Sequence, residues 1–222
     1  MRRSIVDKIN DLMPPWAQTE PTLWYPTMPA QSMGEWQAYL EFIDAYFRNR
    51  GITKPMIVEV GIGYGKQKRF YEEVLGYDYI GIDQKKGRAK GTVRNSDPAL
   101  SRPDIVGDSR SPKTMDKLME MLDGRPVNLV YIDALHKYTA LKRDYEIYAP
   151  LAQNIVAVHD IVNKVLAKET GRFWRELMAK AAKSRAQDKT FITLTGYYTS
   201  KHDHEHSFGQ GTGLVIKEDM SR

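Results

Sequence analysis

Met56–Lys66 reads MIVEVGIGYGK, an apolar run broken once by Glu59 that empties into glycines at 61, 63 and 65. This is a buried strand entering a tight turn. Outward from it, short apolar runs alternate with longer helical patterns. KQKRFYEEVLG (66–76) is a helix with a glycine stop, YDYIGID (77–83) a second strand and DIVGD (104–108) a short third. SPKTMDKLMEMLDG (111–124) is a helix with Ser111 at its cap and Pro112 in its first turn. VNLVYID (127–133) and NIVAVHD (154–160) are further strands, separated by the helical KYTALKRDYEIYAPL (137–151). VLAKETGRFWRELMAKAAK (165–183) is a long helix, and TFITLTGYY (190–198) and GTGLVIK (211–217) are β-rich runs able to pair as neighbours. Strands alternating with crossover helices give an α/β fold, a mostly parallel sheet covered on both faces.

Ahead of this unit, Ile5, Val6, Ile9, Leu12 and Met13 recur at helical spacing until Pro14 and Pro15 stop the pattern. Trp36, Tyr39, Leu40, Ile43, Tyr46 and Phe47 line one face of a second helix ending near Gly51. Between them PPWAQTEPTLWYPTMPAQ (14–31) carries five prolines and two tryptophans, too aromatic for a disordered linker and too proline-rich for regular structure. The chain therefore divides into an extension, 1–54, read as a lid or subunit contact of a homo-oligomer, and a domain, 55–222.

With 41% hydrophobic residues, 222 residues can bury one full core. The absence of cysteine excludes disulfides and thiolate metal sites and suits a reducing compartment. No apolar run approaches the roughly 18 to 20 residues that span a bilayer, and the N-terminus lacks the apolar core and cleavage site of a secretory signal. The expected location is cytoplasmic, with no membrane partner. A formal charge of +5 is spread along the chain without interleaved aromatics, so it reads as solvated surface, with nucleic acid the lesser alternative.

In an open parallel sheet, ligands bind outside the carboxyl ends of the strands. A dinucleotide fingerprint beginning at Gly61 would need a glycine where Lys66 stands, which weakens a pyrophosphate reading. Asp83 closes the second strand, where an acceptor-only carboxylate suits a ribose diol. Asp133 ends the fourth strand and His159 and Asp160 the fifth, so two carboxylates and an imidazole converge on one edge. Like charges raise one another's pKa unless a cation sits between them, and a divalent metal is the economical explanation. The plainer readings are that Asp133 caps the following helix, that His136 is a first-turn residue and that His159 is a hydrogen-bonded core histidine.

Glu59-x-Gly61-x-Gly63-x-Gly65, followed by Asp83 and by VGDSR (106–110), resembles the class I S-adenosylmethionine (SAM) methyltransferases, over roughly Pro55 to Lys217. The resemblance implies a Rossmann-like three-layer sandwich with a mostly parallel seven-stranded sheet and an antiparallel C-terminal hairpin. It implies SAM held by Glu59 at the methionine end, by Asp83 at the ribose and by Asp108 and Ser109 at the adenine. Asp133-Ala134-Leu135-His136 with His159-Asp160 is similar to the metal-dependent O-methyltransferases, in particular the macrolide-sugar O-methyltransferase and cephalosporin-hydroxylase-like group. That likeness implies Asp133, His159 and Asp160 as ligands of Mg²⁺ or Mn²⁺, and His136 as general base. The chain departs from the group where Ala134 and Leu135 replace small polar residues, where His159 replaces an acid, and where LAQN (151–154) replaces a glycine-rich turn.

The expected activity is metal-assisted O-methylation of a hydroxylated small molecule such as a sugar, glycoside or diol. A metal-independent or nucleic-acid methyltransferase is the alternative, although Asp133 is not followed by the Pro-Pro-Tyr/Phe of many base N-methyltransferases. A SAM-binding protein without turnover is a third. TSKHDHEHSFGQG (199–211) carries His202, Asp203, His204, Glu205 and His206, and would overhang the active edge if the strand before it is parallel to the central ones. A solvated hairpin loop is the other reading. Arg69, Arg88, Lys137 and Tyr138 are further candidate substrate contacts.

Overall fold

Buried on both faces, a parallel strand has no need of alternation, and the five residues of β1 (Met56–Val60) are all buried. The computed structural model describes residues 3–12, 33–63, 65–84, 102–184, 189–195 and 211–218. Helices α1 (Ile5–Leu12) and α2 (Met33–Asn49) precede β1. After it come α3 (Gln67–Arg69), running on as a π-helix (Phe70–Leu75), then β2 (Asp78–Asp83), β3 (Ile105–Val106), α4 (Pro112–Leu122) and β4 (Val127–Ile132). The chain continues through α5 (Tyr138–Tyr148), β5 (Ala152–Val158), α6 (Thr170–Ser184), β6 (Lys189–Leu194) and β7 (Thr212–Lys217). The Pro- and Trp-rich stretch 14–31, Arg88 and the histidines at 202, 204 and 206 lie outside the described residues.

The strands form one seven-stranded sheet in the order β3-β2-β1-β4-β5-β7-β6. All pairings are parallel except those of β7, which runs antiparallel to both β5 and β6. β6 therefore points the same way as the central strands, and β7 alone is reversed. The order switches between β1 and β4, which places the binding crevice of such a sheet at their carboxyl ends.

Alternate side chains sort onto opposite faces. Ile57, Tyr79, Leu129, Tyr131, Ile155 and Leu214 meet α1, α2 and the π-helix, while Val58, Val60, Ile82, Val130, Val156 and Val215 meet α4, α5 and α6. On α2, Trp36, Tyr39, Leu40, Ile43 and Phe47 are fully buried. At about 1.5–3 kcal/mol for each such side chain, this helix is a major part of the core.

Helix α6 begins later than its apolar pattern predicts. Residues 161–169 form turns, and the helix opens at Thr170. The cause is tertiary: the Thr170 hydroxyl donates to the Asp160 carbonyl at 2.6 Å, pinning the helix start to the end of β5. Among the described residues, no helix is long and apolar enough to cross a membrane.

Candidate active site

Three residues that follow strands are bonded back to the last or next-to-last residue of a neighbouring strand, which lines them up along one edge. The Gly61 N–H donates to Ile82 O at 2.8 Å, Asp133 N–H to Val60 O at 2.9 Å, and His159 N–H to Ile132 O at 3.1 Å. Gly61, Gly63 and Gly65 all have left-handed backbones, with φ of 88°, 56° and 67°. At Gly61 a second reason applies: a side-chain Cβ would collide with the Asp133 carbonyl oxygen and the Ala134 Cα. The glycine turn and the Asp133 turn are thus packed backbone to backbone.

Asp83 braces the same turn, its Oδ2 accepting the Gly63 N–H at 3.1 Å. Glu59, inside β1 two residues before the turn, is turned into the protein interior. It is fully buried, its Oε2 accepts the Tyr79 hydroxyl at 2.6 Å, and Oε1 has no partner among the described residues. Burial pushes its carboxyl up to about 8. Beyond β3, the Asp108 side chain accepts from Arg110 Nε at 3.0 Å, which holds the carboxyl below its ordinary range. Ser109 donates to Asp144 Oδ1 at 2.7 Å, and its carbonyl accepts the Tyr148 hydroxyl at 2.7 Å. Asp144, buried on α5, is a partner that sequence reasoning missed.

Asp133, His136, His159 and Asp160 form one cluster. His136 Nε2 is 3.0 Å from Asp133 Oδ1 and 3.2 Å from Asp160 Oδ2. His159 Nδ1 lies 3.1 Å from Asp133 Oδ1 and 3.8 Å from Asp160 Oδ2, but neither of its ring nitrogens makes an aligned hydrogen bond within the described residues. The ring is buried against Tyr131, with centroids 6.2 Å apart.

Asp160 is left-handed, φ 61°, which costs a non-glycine residue about 1–2 kcal/mol. Thr170 holds its carbonyl, and the next N–H, that of Ile161, donates to Gly211 O at 3.2 Å. The strained turn carries the Asp160 carboxylate back toward Asp133.

The electrostatics follow from this crowding. Burial alone would raise the Asp133 carboxyl, but the two imidazoles outweigh it and hold the group well below the carboxylate range. Burial lowers His159, yet the surrounding carboxylates push it up to about 9. The hydrogen bond to Asp133 raises His136, and burial raises Asp160. A partly buried and a buried carboxylate side by side thus demand positive charge.

Donor atoms of Asp133, His159 and Asp160 lie within 4.8 Å of one another, a spread one cation can span with ligand distances of about 2.0–2.4 Å. His159 fits such a ligand set: Nδ1 faces the Asp133 carboxylate and Nε2 has no hydrogen-bond partner among the described residues, whereas a buried imidazole is ordinarily hydrogen-bonded.

Among the other candidates, Lys137 Nζ pairs with Glu169 at 3.2 Å and the Tyr138 N–H donates to Glu169 at 2.7 Å, tying the turn after His136 to the start of α6. Arg69 pairs with Glu73 at 3.0 Å along its own helix. Glu35, buried at the start of α2, was not singled out from the sequence; its Oε1 accepts the Thr212 hydroxyl at 2.8 Å, beside the cluster's edge.

No protein-family model and no curated protein matches the chain. Solved structures do. The O-methyltransferase TomG from Streptomyces achromogenes, involved in tomaymycin synthesis and solved with SAM, aligns at 11% identity over 96% of each chain, with a TM-score of 0.53. An O-methyltransferase from Bacillus cereus, solved with SAH, aligns at 13% identity over 96% of this chain and 100% of its own, with a TM-score of 0.51. MycE of the mycinamycin pathway, solved with Mg and SAH, aligns at 14% identity over 82% of this chain and 50% of its own, with a TM-score of 0.49, so the chain spans about half of that protein. The chain has the fold of the class I SAM-dependent O-methyltransferases and resembles them along nearly its whole length.

Proposed function

We propose that the chain is a SAM-dependent methyltransferase that O-methylates a hydroxylated small molecule with metal assistance. One observation carries the reading. The glycine turn suited to SAM and the carboxylate–imidazole cluster suited to a cation meet backbone to backbone at Gly61 and Asp133. A methyl donor and an activated oxygen placed there would be neighbours, which is what in-line transfer needs.

SAM would lie along the turn, with Asp83 toward the ribose, Asp108 and Ser109 toward the adenine, and Glu59 beneath the methionine end. Asp133, His159 and Asp160 would hold the cation, Mn²⁺ or Mg²⁺, which when bound lowers the pKa of a coordinated hydroxyl and fixes a pair of neighbouring oxygens. His136 takes the acceptor's proton as the oxygen attacks the sulfonium methyl. The carbon–sulfur bond breaks and its electron pair stays on sulfur, leaving a neutral thioether. Asp133 and Asp160 raise the His136 pKa while they face it, and a cation meeting their charge would lower it again toward that of a free imidazole base. Acceptors with two adjacent oxygens, such as a sugar, glycoside or diol, suit this chemistry.

One observation favours a metal-independent variant: His136 Nε2 already bridges both carboxylates, so an imidazolium can supply their positive charge. Calorimetry separates the two readings. The metal-assisted one expects SAM binding, and divalent-metal binding that Asp133→Ala and Asp160→Ala abolish. Unchanged metal content in both variants refutes the metal; failure to bind SAM refutes the whole reading. A SAM-consumption assay over diols, glycosides and RNA then assigns the acceptor, and transfer to RNA alone would count against a small molecule.

A further inference from the structure

Glu35 sits in the first turn of α2 and is 2% exposed. A buried carboxylate is costly unless its oxygens are well used. Oε2 accepts the Gly211 N–H at 3.2 Å and Oε1 the Thr212 hydroxyl at 2.8 Å, both at the start of β7. That segment in turn holds the end of β5. Gly211 O accepts the Ile161 N–H at 3.2 Å, and Gly213 is paired with Val158. The left-handed Gly211 also packs closely on Val162, where a Cβ would stand 2.5 Å from the Val162 side chain. His159 and Asp160 are therefore bracketed, at 158 and at 161–162, by a strand start that Glu35 anchors.

A second connection runs through the core. Trp36, the next residue, packs edge-on against Tyr131 at 6.4 Å, and Tyr131 lies 6.2 Å from the His159 ring. The Glu35 charge also bears on both His159 and Asp160.

We infer that Glu35 is a positioning residue for the His159–Asp160 pair, fixing the start of β7 against the Asp160–Ile161 turn so that both ligand atoms face Asp133. The inference rests on the metal-assisted reading. A merely structural tie between α2 and β7 would affect stability and nothing else. Glutamine keeps the shape but removes the negative charge, and with its oxygen on the Gly211 N–H it must reverse the Thr212 contact, its NH₂ donating to the hydroxyl that donated to the carboxylate.

The test measures Mn²⁺ affinity by electron paramagnetic resonance of the free ion, with thermal unfolding alongside, for the wild type, Glu35→Gln, Thr212→Val and Asp44→Asn. Asp44 is a second buried acid on α2, paired with Arg48 at 2.8 Å and Tyr77 at 3.2 Å, and serves as the structural control. Glu35→Gln and Thr212→Val should weaken Mn²⁺ binding about 10- to 100-fold, while Asp44→Asn lowers the Tm and leaves affinity within about twofold. Should Glu35→Gln fail to fold, Thr212→Val carries the test, since it keeps the carboxylate and removes one anchor. Wild-type affinity in the Glu35 and Thr212 variants, or an equal loss in Asp44→Asn, overturns the inference and spares the metal. A wild-type chain that binds no Mn²⁺ overturns the metal-assisted reading itself.

Discussion

Gly61→Ala should damage the protein far more than Gly63→Ala, although the two glycines are two residues apart in one turn. Both have φ in the left-handed region, 88° and 56°, so each alanine carries a backbone cost of about 1–2 kcal/mol. At Gly63 nothing among the described residues lies within 4 Å of the new Cβ, and the cost ends there. At Gly61 the new carbon meets the Asp133 carbonyl and the Ala134 Cα, which are backbone and cannot rotate away. Forcing an extra carbon into such a contact adds about 1–3 kcal/mol. Gly61→Ala should therefore lose roughly 2–5 kcal/mol in all, and unfold about 2–12 °C below Gly63→Ala at the 2–4 °C per kcal/mol expected for a chain of this size.

The displaced atoms belong to the segment that presents the Asp133 carboxylate. Misplacement by about 1 Å can cost on the order of 10²-fold in rate. Scanning calorimetry of both variants, with SAM and Mn²⁺ titrations on each, checks the argument. Equal melting temperatures, or wild-type Mn²⁺ affinity in Gly61→Ala, would show that the glycine turn and the carboxylate cluster are not mechanically joined.

Further outcomes are expected elsewhere. On the proposed ligand set, His159 would supply nitrogen where an acid would supply oxygen, so Mn²⁺ should bind about tenfold or more tightly than Mg²⁺, and His159→Asp should shrink that ratio in paired titrations. Glu59 has a folded pKa of about 8 against an ordinary 4.5, so between those values the folded state holds the extra proton and stability falls as pH rises. Glu59→Gln should remove that slope and be the more stable protein at pH 9, by an amount on the order of a few kcal/mol; parallel denaturation curves at pH 5 and pH 9 would refute it. Thr170→Val leaves the Asp160 carbonyl without its 2.6 Å donor. It should cost about 1–3 kcal/mol and weaken Mn²⁺ binding, whereas a stability loss with full affinity would limit Thr170 to starting α6.

What the sequence made legible was local: strand runs, glycine stops and the acids at strand ends are written within a few residues of where they act. The start of α6 was not, because apolar spacing continues back to Val165 while a clasp between Thr170 and Asp160, ten residues apart, sets the boundary. Glu35 and Asp144 escaped notice because an acid on a helix passes for surface, and one in the first turn also suits the helix dipole. Each nevertheless carried a signal. Glu35 precedes Tyr39 and Ile43 at four-residue spacing, and Asp144 falls between Ala140 and Tyr148, so both occupy apolar faces. At Glu59 the place before the glycines was legible and the burial was not: alternation along β1 turns it with Ile57 toward the aromatic layer, where Tyr79 meets it.

Asp160 joins these levels in one residue. A left-handed turn at the end of β5 would be easiest for glycine, yet glycine brings no carboxylate. Aspartate is among the few other residues that tolerate the conformation, since its short polar side chain can bond locally; here Asn163 Nδ2 approaches Oδ1 at 3.5 Å. The remaining strain is held by partners from separate elements, Thr170 on its own carbonyl and Gly211 on the following N–H. Strain maintained by surrounding structure is characteristic of functional sites, because a turn serving only to connect β5 to α6 would relax toward glycine or a longer loop. Replacing Asp160 with Gly should therefore raise the melting temperature while abolishing Mn²⁺ binding. Replacing it with Ala should likewise abolish binding but lower the melting temperature, and a Gly variant less stable than the Ala variant would refute the claim that backbone strain is kept here for the sake of the carboxylate.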